Sequence, residues 1–164
     1  MRKEVDIDKI CTTLDKLTLD TLTLMEEHVQ LKLNLENSMN DGILNLAKTR
    51  YIVGQNNISS LQLPAEDSPE IEAIAVIHSE EDEKLGYRTH DLEIIKKSEN
   101  TSKIQDPLKW FGVLLPQNLH MAQNRFKQAL VWIGEIANVQ SRLNYNCNKL
   151  KGLRQLKNDS VKTE

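Results

Sequence analysis

The chain has 164 residues, 39% of them apolar, 27% charged and only 4% aromatic, and a formal charge of -3. That length suits one domain, but the shortage of bulky side chains argues against a thick globular core and for an elongated helical fold. No apolar run approaches the ~20 residues a bilayer-spanning helix needs, and the opening M-R-K-E-V-D-I-D has no secretory apolar segment, so a cytosolic chain with peripheral membrane contact is expected.

The charge is unevenly placed: -2 over residues 1–53, -6 over 54–103 and +5 over 104–164. The basic C-terminal part is interspersed with apolar positions and has no stacking or groove-reading motif. It reads as a solvated helix face, and nucleic acid is not expected as a partner. Cys11 and Cys147 lack C-x-x-C spacing and should be free thiols in a reducing compartment. The N-x-S matches at Asn57, Asn100 and Asn158 carry no weight in a cytosolic chain.

From Val5 to Val53 there is no proline and a single glycine, Gly42, while apolar residues recur at three- and four-residue steps. This predicts one long helix or two in line. Ile10, Leu14, Leu17, Leu24, Leu31 and Leu35 form a seam, interrupted by Thr21, His28, Ser38 and Gly42. A second stripe through Met25, Val29, Met39, Ile43 and Leu46 predicts that the buried face widens or rotates toward the C-terminal half. Gly42 is unfavourable in a helix by about 1 kcal/mol relative to alanine, so a close crossing or a local break is expected there.

Residues 54–103 lose this period and contain Pro64, Pro69 and the acidic run Glu80 to Glu83. Two readings stand: a marginal hairpin of strands at Ile71 to His78 and Leu92 to Ile95 across an acidic turn, or a disordered acidic loop, which loop-closure entropy allows.

The block that follows, D-P-L-K-W-F-G-V-L-L-P-Q-N-L-H-M-A-Q-N-R-F from Asp106 to Phe126, holds three of the seven aromatics and two of the four prolines. Asp106 before Pro107 is a helix start, the carboxylate capping free N–H groups and proline occupying the first turn. Gly112 can end that turn in a left-handed conformation, and Pro116 stops one helix and starts the next. A tight corner presenting Trp110 and Phe111 results, the rings closing the fold, anchoring a partner, or both.

Beyond the corner, positions 119, 122, 126, 129, 133, 136, 140, 143, 147 and 150 alternate steps of three and four and carry only one strongly polar residue, Gln140. A polar seam residue suits the fixing of a register or a partner helix. Gly152 and the K-N-D-S-V-K-T-E tail predict fraying and disorder. The expected fold is all-α: an elongated antiparallel helical hairpin, of coiled-coil type, with a long acidic insertion that is partly disordered or a marginal β-hairpin. It forms one domain over residues 5–157: a first helix at 5–53, a linker at 54–103, the capped corner at 104–117 and a second helix at 118–152, with a disordered tail from 153.

Catalytic chemistry is missing from this pattern. His28, His78, His90 and His120 show no metal-ligand spacing, no phosphate loop, dinucleotide fingerprint or nucleophile elbow occurs, and nothing in the acidic run orients a carboxylate for proton transfer. No enzyme activity, metal or cofactor is expected.

The Asp106 to Phe126 block resembles the small peripheral assembly factors of the vacuolar-type proton ATPase, which carry an Asp-Pro, an aromatic-Phe-Gly, a hydrophobic pair, a Pro and an Ala/Ser-Gln-x-x-Phe. D-G-I-L-N-L-A-K-T-R-Y from Asp41 to Tyr51 resembles a second family block near the end of the first helix. His120 stands where the family usually has an arginine. The resemblance implies a non-catalytic assembly chaperone on the cytosolic face of the endoplasmic reticulum. Its implied partners are a small membrane-spanning assembly factor and membrane-sector subunits of the pump, so membrane contact is indirect. It further implies a link to early secretory vesicles and to lysosomal or vacuolar acidification. Asp106, Pro107, Trp110, Phe111, Gly112, Pro116, Leu119, Gln123, Phe126 and Gln140 are the expected partner-binding positions, and Gly42, Leu46 and Tyr51 the expected packing positions of the hairpin. A constitutive coiled-coil scaffold or vesicle tether is the alternative.

Overall fold

The structure is a computed structural model that describes residues 7–68, 71–83, 85–95 and 105–161. Helix α1 runs Ile7–Val53 and helix α2 runs Gln117–Val161; between them come strands β1 (Ala75–Asp82) and β2 (Tyr87–Ile94) and three short 3₁₀ turns, the last at Pro107–Phe111. The expected starts at Val5 and at residue 104, the linker stretches 69–70, 84 and 96–103, and tail residues 162–164 lie outside the described residues.

The helices pack antiparallel. Residue numbers that rise along α1 meet numbers that fall along α2: Leu24 and Leu31 cluster with Val139 and Leu143, Ser38 Oγ accepts a hydrogen bond from Trp132 Nε1 at 3.2 Å, and Gly42 lies against Phe126. The α1 seam from Ile10 to Gly42 is buried or half-buried throughout. Its polar members are satisfied locally or across the interface: Thr21 Oγ1 donates to the Leu17 carbonyl at 2.7 Å, and Ser38 serves Trp132. Gly42 lies inside an unbroken helix, where a Cβ would sit 2.8 Å from Phe126 Cε1. Missing bulk at that position lets the ring lie against the α1 backbone.

His28 is the exception in this row. It is half-buried, and its Nδ1 is buried with no hydrogen-bond partner among the described residues. Replacing a buried unsatisfied polar group by an apolar one relieves its desolvation penalty. His28→Leu is therefore expected to stabilise the chain by about 1 kcal/mol, or roughly 2–4 °C in a thermal melt; a fall in melting temperature would show that the imidazole is satisfied in solution.

Three expected features of the helices are corrected. In α2 the expected inward row holds at eight of its ten positions and is displaced by one residue at two: Ile133 is 42% exposed and Gln140 is exposed, while Trp132 and Val139 take their places in the core. Gln140 Nε2 donates along its own helix to Asn144 Oδ1 at 3.2 Å, so it fixes no register with α1. Of the second α1 stripe only Leu46 reaches the core, where the buried face turns toward Leu46, Thr49 and Val53, while Met25, Val29, Met39 and Ile43 stay 46%, 58%, 37% and 54% exposed. Nor does α2 stop at 152; it continues through Gly152 to Val161.

The fold is accordingly mostly helical but neither all-α nor a plain coiled-coil hairpin, because the insertion contains an antiparallel two-stranded sheet pairing Ala75 with Ile94 and Asp82 with Tyr87. The acidic Glu80 to Asp82 stretch belongs to β1 and is not the turn. An isolated hairpin is marginal in water, and a helix to pack on supplies what it lacks. Asn138 on α2 bonds the hairpin edge as a further strand would: its Oδ1 accepts from the His90 N–H at 2.7 Å and its Nδ2 donates to the His90 carbonyl at 2.8 Å. At the hairpin tip, the Tyr87 and Tyr145 rings meet with centroids 5.7 Å apart. Across the strands Ser79 Oγ and His90 Nδ1 are hydrogen-bonded at 2.8 Å.

Candidate functional site

The corner is built at the end where α1 finishes and α2 begins. Asp106 adopts extended backbone as the N-cap of the 3₁₀ turn, its carboxylate accepting the Leu108 N–H at 3.1 Å, and Pro107 fills the first position, where a missing donor is harmless. The same oxygen accepts from Gln123 Nε2, on α2, at 2.7 Å. One carboxylate thus caps the turn and ties it to the helix that follows. Leu108 then inserts beside Ile58 and Leu119, with Leu46, Val53, Phe111 and Leu115 packed around them.

Burial alone would push the Asp106 carboxyl upward. The hydrogen bonds from Leu108 and Gln123 and the charges of Lys127 and His120 outweigh it, so its pKa lies below the ordinary 3.8. A depressed carboxyl contributes stability that is present above its unfolded pKa and is lost as pH falls through the folded one. Asp106→Ala is expected to destabilise by about 1 kcal/mol, the usual value of an N-cap. It should also remove part of the stability loss seen below about pH 4. Melting curves across that range check both; an unchanged acid limb would show that the carboxylate is equally free in the unfolded chain.

Past the turn the chain is aimed outward. Gly112 has φ +120°, a backbone that side-chain-bearing residues rarely adopt, and its N–H donates to the Lys109 carbonyl at 3.4 Å. Of the apolar triplet that follows, only Leu115 turns into the core, while Val113 and Leu114 are 99% and 95% exposed. Pro116 ends the loop, its carbonyl accepting the Leu119 N–H at 2.9 Å as α2 begins.

Beside this tip lies a groove of about 350 Å³ between the open end of the hairpin (Ile74, Ala75, Ile94), the 3₁₀ turn (Pro107, Leu108, Phe111) and α2 from Leu119 to Leu130, with Leu46 behind. Its walls are apolar except for Gln123 and Lys127. Phe111 also lines a second groove, with Leu46, Ile58 and Leu63.

Of the positions expected from sequence, Pro107, Phe111, Leu119, Gln123, Phe126 and Leu46 come together in the first groove, and Asp106 holds Gln123 in it. Gly42 stands behind Phe126. Leu119 is 4% exposed and acts as a core residue. Trp110 is half-buried, its indole N–H buried without a partner among the described residues. Gln140 lies away from the corner, beside the other core cluster, in the stretch of α2 that carries Val139 and Leu143. Tyr51 is 91% exposed and takes no part in helix packing. Val113, Leu114 and Leu130 were not expected. The signal for the first two is the spacing itself: an apolar triplet between a glycine and a helix-starting proline has too little chain to turn every side chain inward.

Among the described residues no group of three or more His, Cys, Asp or Glu gathers as a metal site, and no helix is long and apolar enough to cross a membrane. Cys11 and Cys147 are free and half-buried.

Residues 55–129 match the family model Vma22/CCDC115. The match covers the hairpin, the 3₁₀ turn, the exposed tip and all of the groove except Leu46 and Leu130. Over 161 residues the chain is 29% identical to the vacuolar ATPase assembly protein VMA22 of Mus musculus, spanning 87% of this chain and 89% of that protein. The protein of the same name from Homo sapiens is 29% identical over 165 residues with the same coverage, and that of Danio rerio 28% over 167 residues, covering 77% and 80%. The segment that carries the hairpin, the corner and most of the groove is thus similar to the Vma22/CCDC115 family, and the likeness to the named relatives extends over 87% of the chain.

Proposed function

We propose that this chain is a non-catalytic assembly factor of the vacuolar-type proton ATPase. It helps assemble the membrane sector of the pump at the cytosolic face of the endoplasmic reticulum, and so supports acidification of the lysosome or vacuole. The reading rests on one observation above the rest: the segment matched by the family model is the segment that fixes an apolar groove and an exposed Val113-Leu114 tip on a rigid corner. An apolar surface of that kind binds a protein by burying side chains in a preformed site, and needs no chemistry of its own.

The partners are a small membrane-spanning assembly factor and, through it, membrane-sector subunits of the pump. With no membrane-crossing helix among the described residues, the membrane address is borrowed from that partner, and Phe111, Phe126 and the tip are the contact. Early secretory vesicles and the lysosome are further addresses of the same complex. Affinity purification of the tagged full chain from detergent-solubilised cell membranes tests the reading. Membrane-sector subunits of the proton ATPase should be recovered together with a small membrane-spanning protein; recovery of neither from membranes that contain the pump would refute it.

A further inference from the structure

The two edges of the hairpin are finished differently. Ile95 N–H donates to the Ile74 carbonyl at 2.8 Å, so these two residues are a hydrogen-bonded pair, and such pairs alternate with non-bonded ones along an antiparallel ladder. With Ala75 opposite Ile94 and Asp82 opposite Tyr87, the N–H and C=O groups of Val76, His78 and Glu80 face β2, and those of Ile77, Ser79 and Glu81 face away from it. By the same alternation His90 faces outward on β2, and its two backbone groups are the ones that the Asn138 amide takes. That edge is closed by α2. On β1, no protein group among the described residues meets the outward backbone of Ile77, Ser79 and Glu81, and residues 77–81 are all exposed.

An open edge is a template for another strand. β1 is eight residues long, pairs with β2 without a bulge and contains no proline, so nothing in its backbone blunts the edge. Charge is what selects. From Ile71 to Glu83 the chain carries five carboxylates, Glu72, Glu80, Glu81, Asp82 and Glu83, and no lysine or arginine. Farther along the hairpin, Asp91 and Glu93 add two more carboxylates, against the two cations Lys84 and Arg88. Asp82 accepts the Leu85 N–H at 3.3 Å, Glu93 pairs with His78 at 3.4 Å and Arg88 stands across from Glu81, but the residue across from Glu80 is the neutral Thr89. A second copy would bring the same acidic excess into the sheet, whereas a basic strand offsets it.

We propose that the outer edge of β1 adds one strand of a partner protein, which pairs with the outward backbone of Ile77, Ser79 and Glu81. Its β-branched residues lie beside Val76 and Ile77, and its lysine or arginine side chains lie beside Glu80 and Glu81. Main-chain hydrogen bonds hold the strand, and the charge sets which strand is accepted and in which register. Residues 77–82 line neither groove beside the corner, so this surface stands or falls apart from the function proposed above.

The test uses the full chain and synthetic peptides of about eight residues: alternating valine and lysine, the same with glutamate for lysine, and the lysine peptide N-methylated throughout, which keeps its charge but cannot donate to the edge. In fluorescence anisotropy the lysine peptide should bind at least about tenfold more tightly than either control. In hydrogen exchange followed by NMR it should slow the amides of Ile77, Ser79 and Glu81 by at least about tenfold, while those of His78 and Glu80, already bonded to β2, stay as they are. Ile77→Pro removes an outward donor without touching a bond between β1 and β2 and should weaken binding by about tenfold, with His78 and Glu80 still protected. Glu80→Lys should weaken the lysine peptide with no change of backbone. Equal binding of the N-methylated peptide, binding indifferent to Glu80→Lys, or no added protection at the three outward amides overturns the proposal. So does light scattering that finds a dimer with those amides protected before peptide is added, since the edge would then belong to a second copy.

Discussion

Gly42→Leu should destabilise the chain by about 2 kcal/mol, within the range for overpacked cores, and Phe126→Ala made in the same chain should recover part of that loss. At position 42 even a Cβ would come within 2.8 Å of Phe126 Cε1 and 3.0 Å of its Cζ, so a leucine must displace the whole ring. The ring is held on its other side by the groove it lines with Phe111 and Leu119. Taken alone, Phe126→Ala leaves a cavity and is expected to destabilise by about 3 kcal/mol, at the low end for phenylalanine because the ring is only half-buried. Together the two changes exchange bulk across one contact, and the double mutant should be more stable than the sum of the singles by about 1–2 kcal/mol. Denaturant unfolding of the four proteins measures this coupling. Strict additivity would mean that Gly42 and Phe126 do not touch.

The second large effect concerns binding. Val113→Ser with Leu114→Ser should leave the melting temperature unchanged, since both side chains are almost fully exposed, yet reduce recovery of the membrane partner by about a hundredfold. Burying an aliphatic side chain contributes about 1.5–3 kcal/mol, so losing two such contacts removes roughly 3 kcal/mol, and each 1.4 kcal/mol is tenfold in affinity. Surface substitutions of this kind seldom shift stability by more than about 0.5 kcal/mol, which separates lost binding from lost folding. Trp110 and Phe111, which the sequence singles out as anchors, make poorer probes. Both are half-buried, and Phe111 packs against the Ile58, Leu108 and Leu119 cluster, so their removal would disturb the corner itself.

That difference marks where sequence reasoning ends. The long helices are legible because their inner positions recur at three and four residues over dozens of residues, and because Asp106-Pro107 and Pro116 are strong local stops and starts. Within α2, however, 132 and 133, or 139 and 140, fit the same period equally well. The choice is made by what lies opposite: Ser38 offers an acceptor to the Trp132 indole, and Leu24 and Leu31 offer an apolar seat to Val139. The hairpin was legible as a run of apolar residues, but not its register or its permanence. The register lies in the pairing of Ala75 with Ile94 through Asp82 with Tyr87, and the docking in Asn138, a residue on another element whose amide matches one backbone edge. Similarly, Tyr51 sits in a block that suggests packing, yet its position on α1 points it to solvent.

The groove follows the same logic. Leu46, Ile74, Ile94 and Phe126 lie far apart in the chain, and no local pattern announces that they meet. Antiparallel pairing of the helices brings Leu46 and Phe126 to one end, and the docked hairpin brings Ile74 and Ile94. The corner then closes the third side through the Asp106–Gln123 bond.

In the function proposed above, the Val113-Leu114 tip touches the assembly machinery of the proton pump. A photo-crosslinking amino acid placed at position 114 of the full chain, activated in intact cell membranes, tests it at the residue concerned. A covalent adduct with a small membrane-spanning assembly factor or a membrane-sector subunit is expected, absent from the same probe at exposed Leu156 near the far end of α2. No adduct at 114, with pump subunits still copurifying, would contradict it.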